Sequence, residues 1–355
     1  MTTMTESLPA TSRARSITLA LEGGGALGAF AWGVLDRLLE HPELDIQVVG
    51  GTSAGAMNGA MLVQGLKRGG PKEAKRLLES FWQRVAIASG SLPGPFAPWL
   101  HLVSPVVDAV RNAGAALNPH GRVGINPLRG ILSELLDPAV LQAPGPPELI
   151  VAATRVRTGE ARLFRGEELS ADALLASACL PQLFPAIEID GEAYWDGGYT
   201  CNPPVRHLIE MGAPSDVLIV RTAPLERATV PSGATAVKER VNEITFGSAL
   251  RSELRTLAVA QSTLAALTDV PEPLARLRDA RLHMIGPESA EFHSMHAGLL
   301  HSPDWTFLSN MHRLGAACAD RWLIEHGDDL GTRSTLDLAP FAGTTGGGVA
   351  RVLAA

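Results

Sequence analysis

The chain has 355 residues, 46% hydrophobic and 19% charged, with 37 acidic against 30 basic side chains and a formal charge of −7. So much apolar material excludes a disordered chain, and the acidic balance argues against broad neutralisation of phosphate, so no nucleic-acid partner is expected. Three cysteines cannot build a disulfide framework and point to a reducing compartment, with the cytoplasm as the expected location.

Residues 1–15 are polar and carry Arg13 and Arg15 at their end, the reverse of a signal peptide's order, and read as a disordered leader. Residues 16–21 (SITLAL) are a short apolar run before glycines, which predicts a buried strand. Gly23-Gly24-Gly25 follows, then a helix over 26–40 with Leu27, Phe30, Ala31, Val34, Leu35 and Leu38 on one face. A second strand over 46–49, a turn Gly50 to Gly55 and a helix over 56–66 complete a βαβα order, which predicts a parallel sheet covered by helices. A helix is expected over 72–87. Residues 88–124 lose their period and mix Pro and Gly with Phe96, Trp99, Leu100 and Leu102; they read as an insertion, and are the candidate lid or acyl-chain wall.

Further on, a helix is expected over 127–136, strands over 149–154 and 160–164, and a helix over 171–178. Residues 186–189 and 192–194 flank Asp190-Gly191, a strong hairpin signal. A strand over 217–221, one or two helices within 236–267, a last strand over 280–285 and a helix over 305–326 follow, and 331–355 reads as a loose tail. The expected organisation is a core over 16–222, a mostly helical part over 223–330 packed on it, and the tail. No stretch reaches the ~18–20 apolar residues of a spanning helix, so a soluble protein is expected, with peripheral contact with a bilayer left open.

Three motifs carry chemistry. Gly51-Thr52-Ser53-Ala54-Gly55 is a G-x-S-x-G pentapeptide between strand and helix, where a serine on a sharp turn is exposed above a helix N-terminus and the flanking glycines permit close packing. Gly23-Gly24-Gly25 also joins strand to helix. A dinucleotide loop is disfavoured, because the serine elbow stands where the acidic residue should end the second strand; a cradle of backbone N–H groups, an oxyanion hole beside Ser53, fits better. Asp196-Gly197-Gly198 follows the hairpin and is either a plain turn or a carboxylate placed opposite Ser53.

The three motifs in this order (GGGALG, GTSAG, DGG) resemble the patatin-like phospholipases. Ala176-Ser177-Ala178-Cys179-Leu180-Pro181 and Asn202-Pro203-Pro204 agree with the resemblance, which covers roughly residues 16–222; residues 290–327 also resemble the C-terminal segment of some bacterial members. It implies a three-layer α/β/α fold around a mainly parallel sheet and a lipid acyl hydrolase acting on fatty acyl esters. It also implies Ser53 as nucleophile, Asp196 as general base without histidine, and the Gly23, Gly24 and Gly25 amides as oxyanion hole. Gly51 and Gly55 shape the elbow and Gly197 and Gly198 the supporting turn, with no metal or cofactor required. Leu27 departs from the Arg or Lys common at that place in the family, which bears on headgroup preference.

Two other readings are weighed against this one. A Ser–Asp–His triad would recruit His207 or a later histidine, and a catalytically silent acyl-binding module would keep the fold without the chemistry. The spacing of His293, His296 and His301 fits no standard zinc pattern, and Cys179 and Cys201 read as small buried hydrophobes.

Overall fold

The computed structural model describes residues 14–91, 126–227, 229–288, 292 and 304–342. Eight strands form one sheet: β1 (Arg15–Leu21), β2 (Leu44–Thr52), β3 (Glu148–Arg155), β4 (Ala161–Arg165), β5 (Ile187–Ile189), β6 (Glu192–Asp196), β7 (Asp216–Val220) and β8 (Arg281–Ile285). β3, β2, β1, β7 and β8 lie side by side and all run parallel, while β4 and β6 pair antiparallel with β3 and β5 antiparallel with β6.

The helices are α1 (Gly28–Leu38), α2 (Ala54–Gly69), α3 (Pro71–Ser91), α4 (Pro127–Leu135), α5 (Pro138–Gln142), α6 (Ala171–Ser177), α7 (Val205–Glu210), α8 (Ala234–Leu264), α9 (Leu274–Asp279) and α10 (Trp305–His326). They cover both faces of the sheet, as a parallel sheet requires. Successive strand residues divide between two apolar layers. Ile17, Leu19, Leu21, Leu218 and Val220 pack with α1, α2, α3, α4, α6 and α10, whereas Ala20, Val217 and Ile219 pack with α7, α8 and α9. The expected three-layer α/β/α architecture with a mainly parallel sheet is the one found. Each fully buried Leu or Ile in these layers contributes about 1.5–3 kcal/mol.

Local chemistry explains several element ends. Asp190 and Gly191 both take positive φ (51° and 78°), as the two-residue turn between β5 and β6 demands. Asn126 caps α4 by accepting from Leu128 N, with Pro127 at the first helical position. α1 and α10 cross at backbone contact: a Cβ on Gly33 would fall 1.9 Å from the His312 carbonyl oxygen.

Several segments differ from expectation. α3 runs on to Ser91, into the stretch read as irregular. The candidate lid residues Phe96, Trp99, Leu100 and Leu102 lie outside the described residues, as do residues 1–13 of the leader, His293, His296 and His301, and tail residues 343–355. α7 was not expected. Its N-terminal Arg206 N–H donates to Glu253 of α8 at 2.9 Å, a cap supplied from far along the chain. Residues 331–342 return to the sheet, where Thr335 and Leu336 N–H donate to the Leu282 carbonyl.

Candidate active site

The pairing registers bring the three motifs together. β1 and β2 are adjacent and in step, with Leu21 opposite Gly51, so the glycine loop after β1 and the serine turn after β2 leave the sheet at one level. Ala152 of β3 pairs with Thr52 of β2, and the next residue, Ala153, pairs with Asp196 of β6. Residues 150–154 of β3 also pair with β4, so β2 and β6 must share the opposite edge of β3. β6 therefore arrives, from the reverse direction, at the point where β2 turns away, and this sets Asp196 beside Ser53.

Ser53 has φ 53° and ψ −123°, a strained backbone for a residue with a side chain, and it immediately precedes α2. The flanking glycines make the turn possible. A Cβ on Gly55 would lie 2.2 Å from the Leu21 carbonyl oxygen, and one on Gly51 would meet the Gly55 carbonyl at 2.6 Å. Ser53 N–H donates to the buried Ser177 Oγ at 2.9 Å, and Thr52 Oγ1 donates to the Cys201 carbonyl at 2.8 Å. Behind the turn, Trp82 Nε1 donates to Asn58 Oδ1 (3.0 Å) and Asn58 Nδ2 to the Gly28 carbonyl (2.9 Å), which ties α1, α2 and α3 into one support.

Asp196 is 2% exposed. Its backbone is held by Cys179 O, which accepts from Asp196 N–H at 2.8 Å, and by Thr154 Oγ1, which donates to Asp196 O at 2.8 Å. Its carboxylate accepts from Gly198 N–H at 2.8 Å, and the Ser53 hydroxyl lies near enough to favour its charged form. Burial pushes the carboxyl up to about 7, and the Gly198 amide and the Ser53 hydroxyl pull the other way without cancelling it. Gly197 and Gly198 have close neighbours of their own: a Cβ on the first would lie 2.3 Å from the Ala152 carbonyl oxygen, and one on the second 2.5 Å from Phe246 Cδ1.

In the glycine loop the three amides are not equivalent. Gly23 N–H donates to Asn202 Oδ1 at 2.7 Å and is consumed there. Gly24 is exposed and Gly25 half-buried with φ 58°, and neither N–H has an acceptor among the described residues. A Cβ on Gly23 would fall 2.6 Å from Ser53 Cβ, so the glycine loop and the serine turn are in contact. Leu27 packs partly buried against the apolar layer of α1 and α2.

His207 stands apart from this cluster. Its Nδ1 is 3.8 Å from Glu253 Oε1, and burial, with Arg206 beside it, depresses its pKa. Among the described residues no histidine hydrogen-bonds Ser53 or Asp196, no cluster could hold a metal ion, and no helix is long and apolar enough to cross a membrane. Cys179, Cys201 and Cys318 are buried and form no disulfide, and burial raises Cys201 to about 12. Ser177 and Asn202, quoted above only as marks of resemblance, prove to be direct partners of Ser53 and Gly23.

Distant similarity links the chain to two solved structures. One is VipD from Legionella pneumophila (16% identity, 88% of this chain and 67% of that one, TM-score 0.40). The other is the ExoU–SpcU heterodimer from the type III secretion system of Pseudomonas aeruginosa (18% identity, 90% and 78%, TM-score 0.34). A comparison with curated proteins finds no match. The family model for patatin-like phospholipases matches residues 19–209, from within β1 to within α7. That match spans more than half of the sequence and takes in all three motifs, so the chain belongs to the patatin-like phospholipase family, a family of lipid acyl hydrolases.

Proposed function

We propose that the protein cleaves fatty acyl esters of phospholipids, lysophospholipids or related lipids with a Ser53–Asp196 dyad. The observation that carries this reading is Ser53 at a strained turn with the buried Asp196 carboxyl beside it, a carboxyl that burial pushes up to about 7. At neutral pH such a carboxyl is ionised in a large share of molecules yet is a far stronger base than an ordinary carboxylate.

Ser53 Oγ attacks the ester carbonyl as its proton passes to Asp196. The oxyanion of the tetrahedral adduct is held by Gly24 and Gly25 N–H, with Gly23 fixed beneath them. The adduct collapses, and Asp196 returns the proton to the departing alcohol. Water then gives a proton to Asp196 and attacks the acyl-enzyme, and Ser53 leaves with that proton restored. Each oxyanion donor accounts for about 2.7–4 kcal/mol of the barrier. Leu27 places no cation at the cradle, which favours acyl-chain over headgroup recognition.

Residues 16–222 form the catalytic unit in this reading, and residues 223–330 buttress it through β8, α8 and α10. The buried thiols fit a reducing, cytoplasmic setting. Hydrolysis profiled across a lipid panel by wild type and Ser53→Ala tests the proposal. Wild type releasing fatty acid and Ser53→Ala releasing none is the expected result; hydrolysis surviving in Ser53→Ala rejects the nucleophile.

A further inference from the structure

Gly23 differs from its two neighbours in that both of its peptide groups are engaged. Asn202, 1% exposed, accepts from Gly23 N–H through Oδ1 (2.7 Å) and donates from Nδ2 to Gly23 O (3.4 Å). The same Nδ2 donates to the Phe246 carbonyl of α8 at 3.3 Å. One donor and two carbonyls around the side chain fix which end is oxygen and which is nitrogen. Thr222 Oγ1 stands 3.2 Å from Gly23 O and equally far from Glu22 Oε2, and its one proton serves one of them at a time.

This pairing lies where a glycine run most needs it. Gly24 and Gly25 have no side chains with which to hold themselves, and Gly25 sits at φ 58°. Oxyanion donors lower a barrier only if they are already aimed before the charge develops. Asn202 lies on the loop that begins with Asp196, and that loop is tied to the nucleophile turn by Thr52 Oγ1 on the Cys201 carbonyl. One loop thus carries the base and grips the cradle, and Phe246 O anchors the grip to α8.

We infer that Asn202 is a positioning residue for the oxyanion hole, holding Gly23 through both of its peptide groups so that the Gly24 and Gly25 N–H groups face the reacting carbonyl. The inference rests on the Ser53–Asp196 reading. The experiment compares wild type, Ser53→Ala, Asn202→Ala, Asn202→Asp and Thr222→Val in hydrolysis of a short-chain acyl ester, normalised to folded protein by thermal melting. For each variant, affinity is also measured for an acyl trifluoromethyl ketone, which forms an oxyanion adduct, and for the matching acyl amide, which does not.

Asn202→Ala is expected to lower kcat by about 100-fold with KM within about threefold, on the scale of one lost oxyanion donor. The ketone should weaken in parallel with kcat/KM while the amide holds. Asn202→Asp is isosteric, keeps the acceptor and loses the donor, so it should fall between wild type and Asn202→Ala; it decides the matter if Asn202→Ala does not fold. Thr222→Val should cost less than about tenfold. Two results overturn the inference: kcat within about threefold of wild type in both Asn202 variants, or equal weakening of ketone and amide. Activity persisting in Ser53→Ala would instead overturn the dyad itself.

Discussion

Two buried aspartates stand at opposite ends of the same parallel sheet, and their surroundings push them in opposite directions. Asp196, where β2 and β3 end, has the Gly198 amide as donor and the Ser53 hydroxyl nearby; burial dominates and raises its pKa to about 7. Asp216, where β7 begins, is just as inaccessible at 4% exposure. Burial works against its charge too, but His283, Arg281 and Gly331 N–H outweigh it and hold the carboxyl well below the usual range. One carboxyl is left short of partners beside a strained serine. The other is saturated and clasps the chain from residue 331 onward against β8. The difference separates a carboxyl whose burial works against stability from one that supplies it.

The largest expected effect is on turnover. Asp196→Asn should reduce kcat by at least about 10³-fold, since the variant keeps the shape but cannot accept the Ser53 proton. Asp216→Asn should leave kcat per folded molecule within about twofold while lowering stability by about 3 kcal/mol, as for a broken buried ion pair. Steady-state kinetics beside urea unfolding would break the comparison if both variants lost activity alike.

The pH dependence of stability sharpens it further. Asp196 titrates higher in the folded protein than in the unfolded chain, so its penalty grows as pH rises from about 4 to about 7 and is complete above that. Asp196→Asn should therefore be more stable than wild type by about 1–3 kcal/mol at pH 8 and by little at pH 4.5. Asp216 titrates lower in the folded protein, so its contribution is complete above the unfolded value near 4 and is lost as pH falls below it. The deficit of Asp216→Asn should be flat from pH 5 to 8. Parallel curves for the two variants would contradict the assignment of opposite shifts.

The smallest effect separates two acids that burial raises alike. Burial also lifts Glu253, the remote cap of α7, to about 7. With Asp196 as the base, kcat/KM should rise through about pH 7, and since Glu253→Gln keeps an acceptor for Arg206 N–H, that rise should survive in it. Disappearance of that rise would transfer the inflection from Asp196 to Glu253.

Much of this is legible in the sequence. The strand, turn and helix order around Ser53 follows from apolar runs broken by glycine, and the Asp190-Gly191 turn followed from its dipeptide. Most glycines of the motifs are legible because they mark a close approach that a Cβ would block, as at Gly55 and Gly197. What escaped was non-local. α7 is a six-residue helix whose cap comes from Glu253, so no local pattern announces it. Gly23 belongs to the cradle motif, yet its N–H is taken by Asn202, 179 residues away. Likewise, the antiparallel arrival of β6 on the edge that β2 vacates depends on register, which sequence period alone does not reveal.

The most direct measurement is covalent capture of the nucleophile as a function of pH. Wild type and Asp196→Asn are treated with an alkyl fluorophosphonate from pH 5 to 9, and the adduct is mapped by peptide mass spectrometry. A Ser53–Asp196 dyad predicts a single adduct on Ser53, forming at a rate that climbs through about pH 7 in wild type and is almost abolished in Asp196→Asn. An adduct on another residue, or a Ser53 rate indifferent to both pH and Asp196→Asn, would contradict it.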